Sequence, residues 1–254
     1  MAIHWFDADD HGVTSIKGLI ADGKVTRHPC TSYQEYDTEV AALMPKIQPG
    51  DVVILDPITQ LLDTTRSDAK LGTDPNVNLW DKRTKYFEGD KNYLNVYQYA
   101  QNVVMRRLRN LRARGARVIT IAHEDEVIDS TNTKRIGPQV NPALVGILEG
   151  QSSDIFRLVV VPSDIPNTDI KAGTRVLYIR PSDEYVAKYN AEALFKDGKI
   201  TYPNPPRYLV NPTMREVFAA IGSKPEWLTL YGTPGSGKTT LAVSEALIEE
   251  KKTK

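Results

Sequence analysis

One cysteine, Cys30, is all that the 254-residue chain contains. A lone thiol can build neither a disulfide framework nor a Cys-based metal site. It leaves a reducing cytoplasm as the expected compartment. No apolar stretch approaches the length of a membrane span. The opening residues MAIHWFDADD lack the charged-then-apolar order of a signal peptide. No membrane partner is therefore expected. Net charge is missing as well: 32 Lys plus Arg balance 32 Asp plus Glu. Contact with a polyanion must then come from local basic surface. No internal repeat or low-complexity tract occurs. The rest, 41% hydrophobic and 25% charged, suits one sizeable domain with room for a small appendage.

Short apolar runs rich in Val, Ile and aromatics read as buried strands at 3–6, 52–55, 117–122, 156–161, 175–179 and 227–231. Helical signals lie between several of them. Ser32 and Glu35 have capping-box spacing before a segment that Pro45 stops near Met44, and Thr213 and Glu216 repeat the pattern before a short helix ending at Gly222. Leu94, Tyr97, Gln101, Val104, Leu108 and Leu111 follow helical spacing up to Gly115. Such alternation predicts an α/β fold, a doubly wound and mainly parallel sheet with helices on both faces. The stretch 63–92 is long, polar and poorly periodic, and reads as a loop of the length usually given to function.

The most specific signal is GTPGSGKT at 232–239, the G-x-x-x-x-G-K-[ST] phosphate-binding loop, or P-loop. An apolar run precedes it and a helical segment follows, as the motif requires. Gly232, Thr233, Pro234, Gly235, Ser236 and Gly237 would curl the backbone so that its N–H groups face phosphate oxygens. Lys238 would bring a point charge to the β- and γ-phosphates, with Thr239 and Thr240 opening the helix beside it. The Thr239 hydroxyl can ligate Mg²⁺. ATP and Mg²⁺ are the expected cofactors. Asp56, ending the run VVIL, is the expected second metal-side group, its alternative being an ordinary strand cap.

Hydrolysis needs a group to orient or deprotonate water. Asp7, Asp9 and Asp10 follow the first apolar run, at the carboxyl end where a parallel sheet meets its ligand. The alternative is a solvated acidic turn, the better reading for Asp10. A GTPase reading rests on DDHG, which matches D-x-x-G, but no N-K-x-D-type guanine motif accompanies it.

The segment WFDADDH resembles the one that carries the catalytic Glu in bacterial RecA recombinases, and the resemblance puts Asp9 at the Glu position. In that family the P-loop comes first, then its helix, the acidic strand, the Asp strand and a strand ending in a polar sensor. Here the acidic strand is first and the P-loop last. Joining the ends gives about 24 residues from Lys238 to Asp9, close to the family spacing. The chain thus resembles a circularly permuted RecA-like ATPase core over 1–254, with 1–213 carrying the acidic, Asp and sensor strands and 214–254 the displaced P-loop segment.

A narrower resemblance is to the phage RecA-core proteins of single-strand annealing and strand exchange. It rests on LYGTPGSGKTTLA, VVILDPIT, VITIAHED and RPSDEYVAKYN. It implies a γ-phosphate-sensing role for His123 at the end of its strand. Lys188 would be a finger reaching a neighbouring subunit's nucleotide, although Tyr189 and Asn190 depart from the family's Asp and Arg. The alternatives are a strand-capping His and a solvated Lys.

The resemblance also implies two DNA-binding loops, at 63–92 and 124–142. In the first, Trp80, Lys82, Arg83, Lys85 and Tyr86 interleave aromatics with cations, a pattern suited to base stacking plus phosphate contact. The second carries Lys134 and Arg135 beside Glu124, Asp125 and Glu126. The run Arg106, Arg107, Arg109, Arg112 and Arg114 reads as a solvated basic helix face.

The expected function is an ATP-dependent, single-stranded-DNA-binding ATPase for annealing or strand exchange, in the bacterial host cytoplasm for a phage-encoded protein. It would self-associate as a ring or filament and work beside a single-strand-binding protein. The competing readings are a ring-forming helicase or packaging motor, and a regulatory ATPase that binds protein partners and no DNA.

Overall fold

The computed structural model describes residues 1–9, 13–71, 104–128, 134–140, 142–190, 194–196, 199–201 and 203–250. Its eleven strands, in chain order, are β1 (Ile3–Asp7), β2 (Thr26–Pro29), β3 (Val52–Asp56), β4 (Arg117–Ile128), β5 (Lys134–Pro138), β6 (Asp154–Val160), β7 (Arg175–Tyr178), β8 (Leu194–Lys196), β9 (Lys199–Thr201), β10 (Tyr208–Val210) and β11 (Trp227–Gly232). The helices are α1 (Val13–Ala21), α2 (Tyr33–Leu43), α3 (Ile58–Leu71), α4 (104–113), α5 (Pro142–Gln151), α6 (Met214–Ile221) and α7 (Lys238–Glu250).

The main sheet runs β10-β7-β6-β11-β4-β3-β1-β2, with β5 added to β4. From β6 to β2 every neighbouring pair is parallel. β7 and β10 close the other side in antiparallel fashion. A parallel sheet is covered on both faces, so its strands read as continuous apolar runs. All five residues of β3 and all six of β11 are buried. One face packs Phe6, Val53, Leu55 and Val118 against α2, α3, α4 and α5 through residues such as Tyr36, Leu61, Leu108 and Leu148. The other packs Trp5, Ile54, Ile121 and Leu230 against α1, α6 and α7 through Ile16, Val217 and Val243. Each large side chain so buried contributes roughly 1.5–3 kcal/mol.

One polar cluster inside the sheet is matched. Thr229 Oγ1 lies 2.7 Å from Thr120 Oγ1 and 2.7 Å from Ser152 Oγ, three buried hydroxyls that satisfy one another. Both predicted capping boxes are present, Ser32 with Glu35 and Thr213 with Glu216. Gly222 ends α6 in the left-handed conformation.

The predicted strands all occur, and several of the sequence expectations change. Residues 63–71, expected in a loop, continue α3. The strand expected to stop at His123 runs on to Ile128 and turns back as β5. The loop expected over 124–142 is thus largely a hairpin. The rest of 63–92, including Trp80, Lys82, Arg83, Lys85 and Tyr86, lies outside the described residues. So do Leu94, Tyr97 and Gln101, although α4 buries Val104, Leu108 and Leu111 as its spacing requires. The Arg run on α4 is less solvated than expected. Arg107 pairs with Asp37, Arg109 and Arg112 reach Gln151, and Arg114 bonds the Met44 carbonyl. Among the described residues no helix is long and apolar enough to cross a membrane.

Candidate nucleotide site

The site begins where β11 stops. Gly232 has φ 152°, and a Cβ there would sit 1.7 Å from the Leu158 carbonyl oxygen of β6. Only glycine fits against that neighbouring backbone. Gly235 and Gly237 have φ 73° and 85°, which turn the chain back into α7. The loop therefore delivers its backbone to the amino end of α7, where unpaired N–H groups and the helix dipole favour an anion.

Lys238 is only 6% exposed and folds back through the loop. Its Nζ donates to the carbonyl oxygens of Gly232 (3.0 Å) and Thr233 (2.8 Å) and lies 3.4 Å from Ser236 Oγ. Burial lowers its pKa, and Asp56, Glu124 and Asp9 oppose that shift. Four charged groups from both ends of the chain thus share one electrostatic neighbourhood. The Thr233 hydroxyl is buried there without a hydrogen-bond partner among the described residues. Ser236 is fully buried, while Pro234 and Thr240 are exposed.

Asp56 comes from β3, two strands from the P-loop strand, and its side chain meets the loop directly. Thr239 Oγ1 donates to Asp56 Oδ2 at 2.5 Å, across 183 residues of sequence. The carboxylate is 7% exposed, and burial pushes its pKa up to about 6 against the Thr239 hydrogen bond. The proximity of Asp9 raises it further and Lys238 lowers it. A carboxylate and a hydroxyl held together are hard oxygen donors suited to Mg²⁺, which keeps several waters and phosphate oxygens as its other ligands. Among the described residues no group of three or more His, Cys, Asp or Glu could hold a metal unaided.

Asp9 arrives from β1. Asp7 lies beside Asp56 in register, and the Ala8 N–H donates to the Asp56 carbonyl at 2.8 Å. The chain thus carries half-buried Asp9 past the Asp strand. Asp7 itself is fully buried and paired with Arg27 at 2.6 Å, a structural role. Asp10 lies outside the described residues. His123 of β4 is in register with Gly232, so it borders the loop although its strand continues.

Other expected groups sit elsewhere. Lys188 bridges to Ile155 near the start of β6, and its Nζ donates at 2.8 Å to the carbonyls of Glu149 and Ser152. The structure gives it an anchoring role within its own subunit. Lys134 on β5 is exposed and ion-paired with Glu126, and Arg135 beside it is half-buried.

Two further charged groups lie beside the loop. Glu124, one residue past His123, pairs with Arg157 at 2.9 Å and acts on Lys238. Its place in VITIAHED was the available hint. Arg175 lies against Gly237, and no local pattern marks it.

With this geometry in place, comparison adds one finding. A family model described as an AAA domain matches residues 6–190, a span that includes Asp9, Asp56 and His123 and stops before the P-loop. No curated protein and no solved structure matches the chain.

The raised pKa of Asp56 makes a stability prediction. An unfolded carboxyl titrates near 3.9, so the folded protein holds this proton more tightly. The contribution favours folding below that pH and is lost as pH rises through about 6. At pH 8 the ionised group costs stability. Asp56→Asn is expected to raise the unfolding free energy there by about 1–3 kcal/mol, with little difference at pH 4. Urea unfolding at the two pH values checks this, and a variant no more stable at pH 8 contradicts it.

Proposed function

Since the chain belongs to the AAA domain family, we propose that it is a Mg²⁺-dependent ATPase that works on single-stranded DNA and promotes annealing or strand exchange. The Thr239–Asp56 contact carries the nucleotide half of this reading. On binding ATP, the loop N–H groups and the amino end of α7 take phosphate oxygens. Lys238 exchanges the carbonyls of Gly232 and Thr233 for the β- and γ-phosphates. Thr239 and Asp56 would hold Mg²⁺, which would supply charge neutralisation on the phosphates. Asp9 orients water and takes its proton, and His123 contacts the γ-phosphate.

Support for DNA comes from the resemblance of the sequence motifs and from the β4–β5 hairpin. The hairpin extends the strand that carries His123 and presents Lys134 and Arg135. Its base is tied to the site. The Gln139 N–H donates to the His123 carbonyl at 2.7 Å, and the Thr59 hydroxyl donates to the Gln139 carbonyl at 2.9 Å. Thr59 lies in the first turn of α3, which follows Asp56 and leads toward the segment holding Trp80 and Tyr86.

The reading includes a circular permutation of the RecA-like order. Its support is the order of elements in the sheet. Starting at α6 and passing from α7 to β1, the chain visits the P-loop strand, the acidic strand, the Asp strand and the His123 strand, the order of the family it resembles. α7 packs against both α1 and β3. The junction itself, Lys254, lies outside the described residues.

Turnover should rise when single-stranded DNA is added. Asp9→Asn should lower turnover by roughly 10²–10⁴ with ATP affinity nearly kept. Trp80→Ala and Tyr86→Ala should each weaken DNA binding by about 1–3 kcal/mol, and loss of Lys82, Arg83 and Lys85 should flatten its salt dependence. DNA-indifferent turnover with no DNA binding would instead favour a partner-binding ATPase. For the permutation, a gene starting at Met214, joining Lys254 to Ala2 and ending at Thr213, should give a folded protein that hydrolyses ATP. Failure of that protein to fold would count against the proposed order.

A further inference from the structure

Arg175 lies over the P-loop. A Cβ built on Gly237 would come within 3.1 Å of its Cζ and 3.1 Å of one terminal nitrogen. The guanidinium therefore rests against the last glycine before Lys238. Its backbone is fixed from both sides. The Arg175 N–H donates to Asn211 Oδ1 at 3.1 Å, and the Arg175 carbonyl accepts from the Asn211 N–H at 2.8 Å. Asn211 has φ 45°, a conformation that suits asparagine better than most residues. Arg175 also pairs in register with Val160 of β6. A fixed backbone thus carries an exposed cation to the loop.

Among the described residues the charge is not otherwise used. Arg27, Arg107 and Arg157 each pair with a carboxylate. No carboxylate among the described residues pairs with the Arg175 guanidinium. A planar fork of donors next to a phosphate-binding loop is matched to phosphate oxygens.

Direction of approach selects which phosphate. Asp56, Asp9 and His123 reach the loop from β3, β1 and β4, all on one side of β11, while Arg175 comes from β7 on the opposite side, beyond β6. Thr239 and Asp56 mark the metal side, where the γ-phosphate lies, and the loop N–H groups hold the α- and β-phosphates. We propose that Arg175 is a nucleotide-binding residue acting in its own subunit, donating to the α- or β-phosphate and taking no part in hydrolysis. The proposal rests on the ATP-site reading above.

The test is titration of the full chain with fluorescent ATP and ADP analogues in Mg²⁺, together with steady-state ATP turnover. Arg175→Ala should weaken ATP and ADP alike by about 10–100-fold, the effect of losing one charge-assisted hydrogen bond. The KM should rise with kcat nearly unchanged. Arg175→Lys should recover part of the affinity. Arg175→Gln, which keeps most of the side chain over Gly237, should lose as much as Arg175→Ala. Unchanged affinity in Arg175→Ala and Arg175→Gln, while Lys238→Ala loses binding, overturns the role of Arg175 and leaves the ATP site standing. Loss confined to ATP, or a fall in kcat at constant KM, overturns it by moving the contact to the γ-phosphate. Absence of binding by the wild-type chain overturns the ATP-site reading and this proposal with it.

Discussion

A single hydrogen bond, Thr239 Oγ1 to Asp56 Oδ2 at 2.5 Å, fixes how the two parts of this chain are used together. Thr239 belongs to the first turn of a helix near one end of the sequence, and Asp56 ends a strand near the other. For them to meet, the P-loop strand must enter the middle of the sheet. It does so between β4 and β6, where all six of its residues are buried. The sheet cannot be completed without β11, and β11 has no cover without the layers on either side of it. The elements that carry the P-loop and Asp56 are for this reason also the folding core.

That placement has an energetic cost, visible in the polar groups of the interior. The fully buried Asp7 is offset by Arg27. Asp154 has its pKa pushed up to about 6 by burial, against the Asn190 N–H and nearby Lys188. Asp56 has the Thr239 hydroxyl, Lys238 and the Trp5 side chain to oppose its burial, and its pKa still rises to about 6. Removing one partner of a buried charge is costly, whereas a carboxylate kept underpaired is available to a cation. Asp7 is ion-paired with Arg27 whereas Asp56 meets the P-loop through Thr239, although both end parallel strands in the same register.

What could be read in advance follows the range over which each signal acts. Val52–Leu55 and Trp227–Tyr231 are buried on both faces and so announce themselves as unbroken apolar runs. Glycines at 232, 235 and 237 are required by local backbone geometry, so the P-loop motif is contained in eight residues. Ser32 with Glu35 and Thr213 with Glu216 act over one helical turn. By contrast, β2 is an edge strand reading TRHP, without an apolar face to betray it. β5 exists because β4 continues past His123 and offers an edge. Arg175 matters through Gly237 and Asn211, neighbours made by tertiary packing. Lys188, singled out by resemblance, is held by carbonyls that its local sequence does not reveal.

The claim on which this account turns is that Thr239 and Asp56 act as one Mg²⁺–nucleotide unit. A double-mutant cycle on Mg²⁺-dependent ATP affinity measures that directly, with Thr239→Val, Asp56→Asn and the double variant titrated beside the wild type. Groups that share a ligand couple, with interaction energies of about 0.5–3 kcal/mol. The account predicts strong coupling, with the double variant binding no more weakly than the poorer single variant. Losses that simply add, within about 0.3–0.5 kcal/mol, would contradict it.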